Sequence, residues 1–281
     1  MRPSGKARLA GVMGWPIAHS RSPLLHGHWL ERYGIDGAYV PLAVRPSDLR
    51  VALRALPALG IAGVNVTVPH KEAALGHLDG LDEIARRLGA VNTVVVAQDG
   101  RLEGRNSDGF GFMANLRDKA PAWRADAGPA VMLGAGGAAR AIGFALVAAG
   151  VPELRIANRT PARAAALARD LGVQCRVLDW SARAEALADA ALLVNATSLG
   201  MAGQAALELD LERLATDAVV DDIVYAPLET ELLEAARARG NVVVDGLGML
   251  LHQARPAFRA FFGVDPEVTA ELRRVMEESL A

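Results

Sequence analysis

Val131-Met132-Leu133-Gly134-Ala135-Gly136-Gly137-Ala138-Ala139-Arg140 is the stretch that decides the fold. Apolar residues run straight into glycines, and the glycines into an alanine-rich segment, so a short strand turns directly into a helix. Gly134, Gly136 and Ala139 satisfy the pattern Gly-x-Gly-x-x-Gly/Ala. The first glycine permits the tight turn, the second lets a pyrophosphate approach the backbone, and the small third residue lets the helix pack closely on its strand. The helix then points its unpaired N–H groups and the positive end of its dipole at the phosphates. A Gly-x-Gly in isolation is weak. Here a strand before it, a helix after it and a second strand at the right distance favour dinucleotide binding over a plain glycine turn.

Outward from this loop, short β-branched runs alternate with alanine-rich helical stretches, the rhythm of a parallel sheet covered on both faces. Strands are expected at 130–133, 154–157, 175–178, 192–195, 218–224 and 242–244, with helices at 137–149, 161–171, 182–189 and 228–239. Thr160 as N-cap and Pro161 as first helical residue mark the start of the second of these helices. The first half is also mixed α/β, with apolar runs at 38–44, 61–68 and 90–96 and helical patterns near 23–33, 46–58 and 82–88. Leu9 to Met13 reads as a first strand rather than a signal peptide, because Gly11, Gly14 and Pro16 interrupt the apolar stretch. After Val244 the pattern changes to two helices, 247–262 and 266–279, which cannot extend the sheet. The expected class is therefore α/β: a Rossmann-type doubly wound nucleotide domain over 109–245, set within a substrate-binding α/β domain of 1–108 and 246–281 to which the C-terminal helices return. A cleft between two domains is a preferred place for a ligand.

The end of the strand at 154–157 selects the dinucleotide. An NAD site places Asp or Glu about 20 residues beyond the glycines, where the carboxylate binds the ribose hydroxyls and repels a 2′-phosphate. This chain has Asn158-Arg159-Thr160 there, and Arg163 one turn into the next helix. Guanidinium groups bind phosphate through parallel charge-assisted hydrogen bonds, so the corner favours NADP.

Composition removes several function classes. The chain has 281 residues, 52% apolar and 22% charged, enough to fill a core divided over two domains and too apolar for disorder. Thirty basic and 32 acidic side chains nearly cancel, and no Lys/Arg-rich block occurs, so no nucleic-acid partner is expected. Cys175 is the only cysteine, which forms no internal disulfide or Cys-based zinc site and suits a cytoplasmic protein. None of the six histidines forms a His-x-x-x-His pair, so no metal is expected. The longest apolar run, Ala141 to Val151, falls short of the roughly 20 residues that span a bilayer, so no membrane partner is expected either. Only Lys6, Lys71 and Lys119 are lysines, against 27 arginines, which makes a lysine in a special place easy to notice.

Four first-half segments set small polar groups in strand and turn contexts: Gly14-Trp-Pro-Ile-Ala-His-Ser-Arg-Ser-Pro23, Gly63-Val-Asn-Val-Thr-Val-Pro-His-Lys-Glu72, Gly89-Ala-Val-Asn-Thr93 and Gly104-Arg-Asn-Ser-Asp-Gly109. In the second, strand alternation sends Asn65 and Thr67 to one face and Val64, Val66 and Val68 to the other. Taken singly, each Ser, Asn or Thr fits turn formation or capping equally well. Together, and with Gly134-Ala-Gly-Gly-Ala138, Asn158-Arg-Thr160, Asn195-Ala-Thr-Ser198, Asp222-Ile-Val-Tyr225 and Asp245-Gly-Leu-Gly-Met-Leu-Leu-His-Gln253, they make nearly the whole chain resemble the shikimate dehydrogenase family. That resemblance implies an NADP-linked oxidoreductase that interconverts 3-dehydroshikimate and shikimate, a step of aromatic amino-acid biosynthesis. It further implies that Ser20 and Ser22 hold the substrate carboxylate, and that Thr67, Lys71, Asn92, Asp108 and Gln253 surround the ring hydroxyls and the reacting oxygen. On the cofactor side it implies Gly134, Ala135, Gly136, Gly137 and Ala138 at the pyrophosphate, with Asn158, Arg159, Thr160 and Arg163 at the adenosine phosphate. Ile223, Tyr225 and Gly246 would lie near the nicotinamide, Tyr225 also bordering the substrate. His70, Ser107, Ala226 and Gly27 depart from the usual pattern without removing a group that the chemistry needs.

Reduction of a ketone builds negative charge on its oxygen, so the site must donate a proton there and keep water away. Lys71, oriented by Asp108, is the candidate pair; the alternative is an ordinary ion pair that fixes loops. A quinate/shikimate dehydrogenase using NAD or NADP is the nearest enzyme alternative, and a non-catalytic sensor of shikimate-like ligands is the alternative of another class. The expected partners are the small-molecule substrate and NADP, on a monomer or homodimer.

Overall fold

Arg8–Gly14, with five of seven residues buried, forms the first strand of a computed structural model that describes residues 2–280. The chain folds as two units, one running to Ser107 and resuming over Gln253–Ser279, the other spanning Asp108–His252. In chain order the first unit holds β1 (Arg8–Gly14), α1 (Ser22–Arg32), β2 (Gly37–Ala43), α2 (Leu49–Ala55), β3 (Ile61–Val66), β4 (Gly80–Leu81), α3 (Glu83–Leu88), β5 (Thr93–Val96) and β6 (Leu102–Arg105). Its sheet has the order β2-β1-β3-β5-β6-β4, with β1 parallel to β2 and β3, and β5 antiparallel to β3 and β6. The register opposes Met13 to Val66, Asn65 to Thr93 and Thr93 to Arg105. The end of β1, the end of β3, the start of β5 and the end of β6 therefore share one edge of this unit. Met13, Val64, Val66, Val91, Val94 and Leu102 form a core beneath Leu49, Leu53 and Leu56.

The second unit holds α4 (Asp108–Lys119), β7 (Ala130–Leu133), α5 (Gly137–Ala149), β8 (Leu154–Ala157), α6 (Pro161–Leu171), β9 (Cys175–Leu178), β10 (Leu192–Asn195), β11 (Val219–Asp222), α7 (Glu231–Ala238) and β12 (Val242–Asp245). Its sheet is parallel throughout, in the order β12-β11-β10-β7-β8-β9. Connections reverse between β7 and β10, and in such sheets a ligand sits beyond the carboxyl ends of the strands at this switch point. All four residues of β7 are buried and apolar because both faces are covered: Ala130 and Met132 pack with Ile142 and Leu146, and Val131 and Leu133 with Leu193 and Val220.

The remaining helices, α8 (Gly246–Phe262) and α9 (Ala270–Glu278), close the chain. α8 begins in the second unit and ends in the first, and the segment after it is tied to α1: the Trp29 indole donates to the Glu267 carbonyl at 3.0 Å, and the Glu267 N–H donates to the Tyr33 hydroxyl at 3.0 Å.

Several local expectations change. The helix expected at 182–189 is two short 3-10 turns, Trp180–Arg183 and Glu185–Leu187. The Arg183 guanidinium draws the carbonyls of Trp180 and Glu208 together at 2.7 Å each, and the segment is too short to nucleate an α-helix without such help. β3 stops at Val66, so Val68 is exposed instead of joining Val64 and Val66 in the core. β11 covers only Val219–Asp222, and Thr160 takes the N-cap position of α6 without a side-chain cap. α4 was not legible, since Gly109 and Gly111 lower its helix propensity. Packing restores it, for a Cβ at Gly109 would meet the Ala141 carbonyl of α5 at 2.9 Å. The chain leaves the first unit at Ser107 and rejoins it at Gln253, so Asp108 and 246–252 group with the second unit. The close seat of Gly246 on the Ile223 carbonyl and a 2.8 Å bond from the Asn115 amide to the Asp245 carbonyl account for the later boundary. Among the described residues, no helix is long and apolar enough to cross a membrane.

Candidate active site

The loop after β7 has the form its sequence requires. Gly134 has φ +113°, and a Cβ there would meet the Ala196 carbonyl oxygen at 2.6 Å, so the turn admits glycine alone. Gly136 and Gly137 lie exposed with open space where a side chain would point. Gly136 occupies the N-cap of α5 with no side-chain cap, which leaves the first N–H groups of a 13-residue helix available to an anion. Ala135 and Ala138 are half-buried beside them.

At the end of β8 the Asn158 side chain donates to the Thr160 carbonyl at 2.9 Å and shapes the corner. Arg159 and Arg163 are exposed, and among the described residues neither guanidinium is held by a carboxylate. Their neighbours differ: Arg140 is paired with Asp170 at 2.7 Å, and Arg155 with Glu153 and Asp189. Two uncommitted guanidiniums beside an open glycine loop fit the adenosine phosphate and the pyrophosphate of NADP.

The turns after β10 and β11 are fixed by a buried knot. Asn195 donates to Asp222 at 2.9 Å and to the Leu199 carbonyl at 3.1 Å, while its oxygen accepts from the Thr197 N–H and hydroxyl. Asp222 also accepts from the Val224 N–H at 3.0 Å and the Thr230 hydroxyl at 2.8 Å. Burial raises the Asp222 carboxyl above its ordinary range, and these donors oppose the rise. Half-buried Ile223 and Tyr225 follow directly, and Gly246 is pressed against Ile223 so closely that any Cβ would collide with its carbonyl.

In the first unit the polar segments converge on the shared sheet edge. Ser20 and Ser22 lie at the start of α1, where the Ser22 N–H donates to the Ser20 hydroxyl at 3.3 Å and no acidic residue occupies the first turn. Thr67 follows β3, its N–H bonded to the Met13 carbonyl at 3.0 Å. The half-buried Lys71 is anchored beside Asn92, since its carbonyl accepts from the Val91 N–H at 2.9 Å. Buried Asn92 donates to the Ser107 hydroxyl at 3.0 Å and the Gln253 side-chain oxygen at 3.3 Å, and Ser107 donates to the Gln253 carbonyl at 2.8 Å. Asn65 extends the network: its amide nitrogen donates to the Asn92 carbonyl and the Thr93 hydroxyl, and its oxygen accepts from the Tyr39 phenol at 2.7 Å. Asp108 is buried as the first residue of α4, in the second unit with Tyr225. Thus Ser20, Ser22, Thr67, Lys71, Asn92 and Gln253 lie in one unit, and the cofactor candidates in the other.

The substrate-binding domain of shikimate dehydrogenase matches residues 12–94, shikimate/quinate 5-dehydrogenase matches 120–204, and the shikimate 5′-dehydrogenase C-terminal domain matches 246–279. A shikimate dehydrogenase (NADP(+)) of Paramagnetospirillum magneticum is 63% identical over 270 residues, 96% of this chain and 98% of that one. The chain belongs to the shikimate dehydrogenase family. Among solved structures, the Thermus thermophilus shikimate 5-dehydrogenase in complex with NADP(H) and shikimate superposes with a TM-score of 0.84 at 41% identity, over 97% of this chain and 98% of that one. A Corynebacterium glutamicum quinate dehydrogenase in complex with NAD superposes with a TM-score of 0.90 at 36% identity, over 97% and 99%.

For this shikimate dehydrogenase family member, sequence reasoning passed over Tyr39 and Thr230. Asn65, Thr93, Ser107, Asn195 and Asp222 appeared in motifs without an assigned role. A strand tyrosine and a helix-capping threonine look ordinary in sequence, and only strand register and the fold of the β11–α7 turn reveal their partners.

Proposed function

We propose that this chain catalyses the reversible, NADP-linked reduction of 3-dehydroshikimate to shikimate, with the first unit holding the substrate and the second the cofactor. The observation that carries the reading is 63% identity, over 96% of the chain, to an NADP-linked shikimate dehydrogenase. The open glycine loop and the two uncommitted arginines support NADP. The single cysteine fits a cytoplasmic enzyme.

The bound cofactor supplies the hydride. The protein's part is to seat the substrate and manage one proton at the reacting oxygen. Ser20 and Ser22, at the positive end of α1, receive the carboxylate. Thr67, Asn92 and Gln253 present donors and acceptors to the ring hydroxyls, with Asn92 locked by Ser107 and Gln253 so that its amide is already oriented before substrate arrives. Lys71 gives its proton to the developing alkoxide, and the Asp108 carboxylate accepts from a ring hydroxyl. In the reverse direction Lys71 takes the proton back. Gly134 to Ala138 bind the pyrophosphate, Asn158, Arg159, Thr160 and Arg163 the adenosine phosphate, and Ile223, Tyr225 and Gly246 border the nicotinamide.

Quinate oxidation is the second reading, favoured by the fold match to the quinate dehydrogenase. One assay separates the two: reduced nicotinamide formation with shikimate and with quinate, each against NADP and NAD. Shikimate with NADP is expected to give the highest kcat/KM. Preference for quinate with NAD would replace the proposed activity with the second reading.

A further inference from the structure

The side-chain amide of Asn92 has two ends of nearly equal shape, one a donor and one an acceptor, and rotation about its last torsion is soft. Its neighbours must therefore decide which end faces which way. Asn65 and Thr93, paired across β3 and β5, make that decision. The Asn92 backbone carbonyl can only accept, so the end of the Asn65 amide lying 3.2 Å from it is Nδ2. The same Nδ2 donates to the Thr93 hydroxyl at 3.1 Å, while Asn65 Oδ1 accepts from the Tyr39 phenol at 2.7 Å. A hydroxyl carries one hydrogen, and Thr93 directs it to Asn92 Oδ1 at 3.0 Å. The Ser107 N–H reaches the same oxygen at 3.1 Å. Asn92 Nδ2 is thereby turned to the Ser107 hydroxyl at 3.0 Å and the Gln253 side-chain oxygen at 3.3 Å. Asn65, Asn92, Thr93 and Ser107 are all buried, where a polar group that loses its partner finds no water to replace it.

We propose that Thr93 is a positioning residue for substrate binding, its hydroxyl passing the orientation of the Asn65 amide on to the Asn92 amide. The inference rests on the reading that Asn92 meets the ring hydroxyls of the substrate. Without the Thr93 hydroxyl, Asn92 Oδ1 loses a donor while the Ser107 N–H remains, so the amide is held less firmly and must be ordered again at each binding event. Substrate in its ground state and in its transition state meets the same loosened amide. The loss therefore falls on KM and leaves the proton and hydride steps alone.

A double-mutant cycle on the full chain tests this. Thr93→Val keeps the side chain's shape without its hydroxyl, and is expected to raise the KM for shikimate by about three- to tenfold, with kcat and the KM for NADP within about twofold of the parent. Thr93→Ser restores the hydroxyl and is expected to stay within about twofold of the parent in all three. Asn92→Ala is expected to raise the KM for shikimate at least as much as Thr93→Val, and adding Thr93→Val to it to change nothing further, since one residue acts through the other. If Thr93→Val does not fold, Thr93→Ala set against Thr93→Ser isolates the hydroxyl, with the KM expected to rise in the alanine variant alone. An equal rise in Thr93→Ser would overturn the inference by showing that packing sets the affinity, as would additive effects of Thr93→Val and Asn92→Ala. An unchanged KM in Thr93→Val beside a raised KM in Asn92→Ala overturns the inference alone. An unchanged KM in Asn92→Ala overturns the reading of Asn92 as a substrate contact along with it.

Discussion

Lys71 is one of three lysines in the chain, half-buried at the turn after β3 and anchored through its carbonyl to the residue before Asn92. A group that acts as proton donor in the transition state lowers kcat when removed and leaves ground-state binding nearly intact. Lys71→Ala is expected to lower kcat by at least about a hundredfold with little change in the KM for shikimate. Near-normal turnover would remove Lys71 from the chemistry. Arg159 answers a different question, because its guanidinium is exposed and, among the described residues, held by no carboxylate. Arg159→Ala is expected to raise the KM for NADP by about tenfold, the loss of one charge-assisted phosphate contact, while NAD turnover is unaltered. An unchanged KM for NADP would assign the phosphate to other residues. Both candidates came from the sequence, one from its motif and the other from its distance to the glycines. The Tyr39–Asn65 bond did not, because it depends on residues 26 apart in the chain being brought into contact.

Among the elements, the turn from β7 to α5 separates glycines that shape the fold from glycines that leave room for a ligand. Gly134 has positive φ and a backbone oxygen in the way of any Cβ, so Gly134→Ala is expected to cost a few kcal/mol, about 1–3 from the backbone alone. Gly136 has φ −89° and nothing within 4 Å of a built Cβ. Gly136→Ala is therefore expected to keep the parent melting temperature and still raise the KM for NADP, because the methyl group would project toward the proposed pyrophosphate seat. Thermal melts beside NADP titrations check the pair. A stability loss in Gly136→Ala equal to that in Gly134→Ala would contradict this division. β7, α5, β8 and α6 fall at the residues their periodicity indicates, since each is a long or strongly patterned run. α4 and the 180–187 turns do not, because there contacts from α5 and from Arg183 override weak local preference.

For the whole molecule, two buried ionisable groups make stability depend on pH. Asp221 is wholly buried in β11, and burial first, then the nearby Asp222 and Asp245 carboxylates, push its carboxyl well above the ordinary range. A raised folded-state value means that the folded chain holds this proton more tightly than the unfolded chain. The stability it contributes is present at low pH and is lost as pH rises above the ordinary carboxylate range, by about 1.4 kcal/mol per pH unit for one such group. Asp221→Asn removes that slope, so its melting temperature is expected to exceed the parent's by more at pH 8 than at pH 5; equal gaps would show that Asp221 is not the titrating group. His26 acts at the other end, since burial pushes its imidazole down from 6.5 to about 3, so folding loses stability as pH falls below 6.5. The sequence by itself determined the α/β class, the form of the glycine loop between β7 and α5 and the place of Arg159 and Arg163 just past β8, because these rest on local periodicity, glycine sterics and fixed spacing. Only the tertiary structure decided that Tyr39, Asn65, Asn92, Ser107 and Gln253 form one hydrogen-bonded network, that Asn195 and Thr230 hold Asp222, and that α4 is a helix. The reason is physical: a buried donor must find an acceptor, and which one it finds is fixed by how strands far apart in the chain come into register.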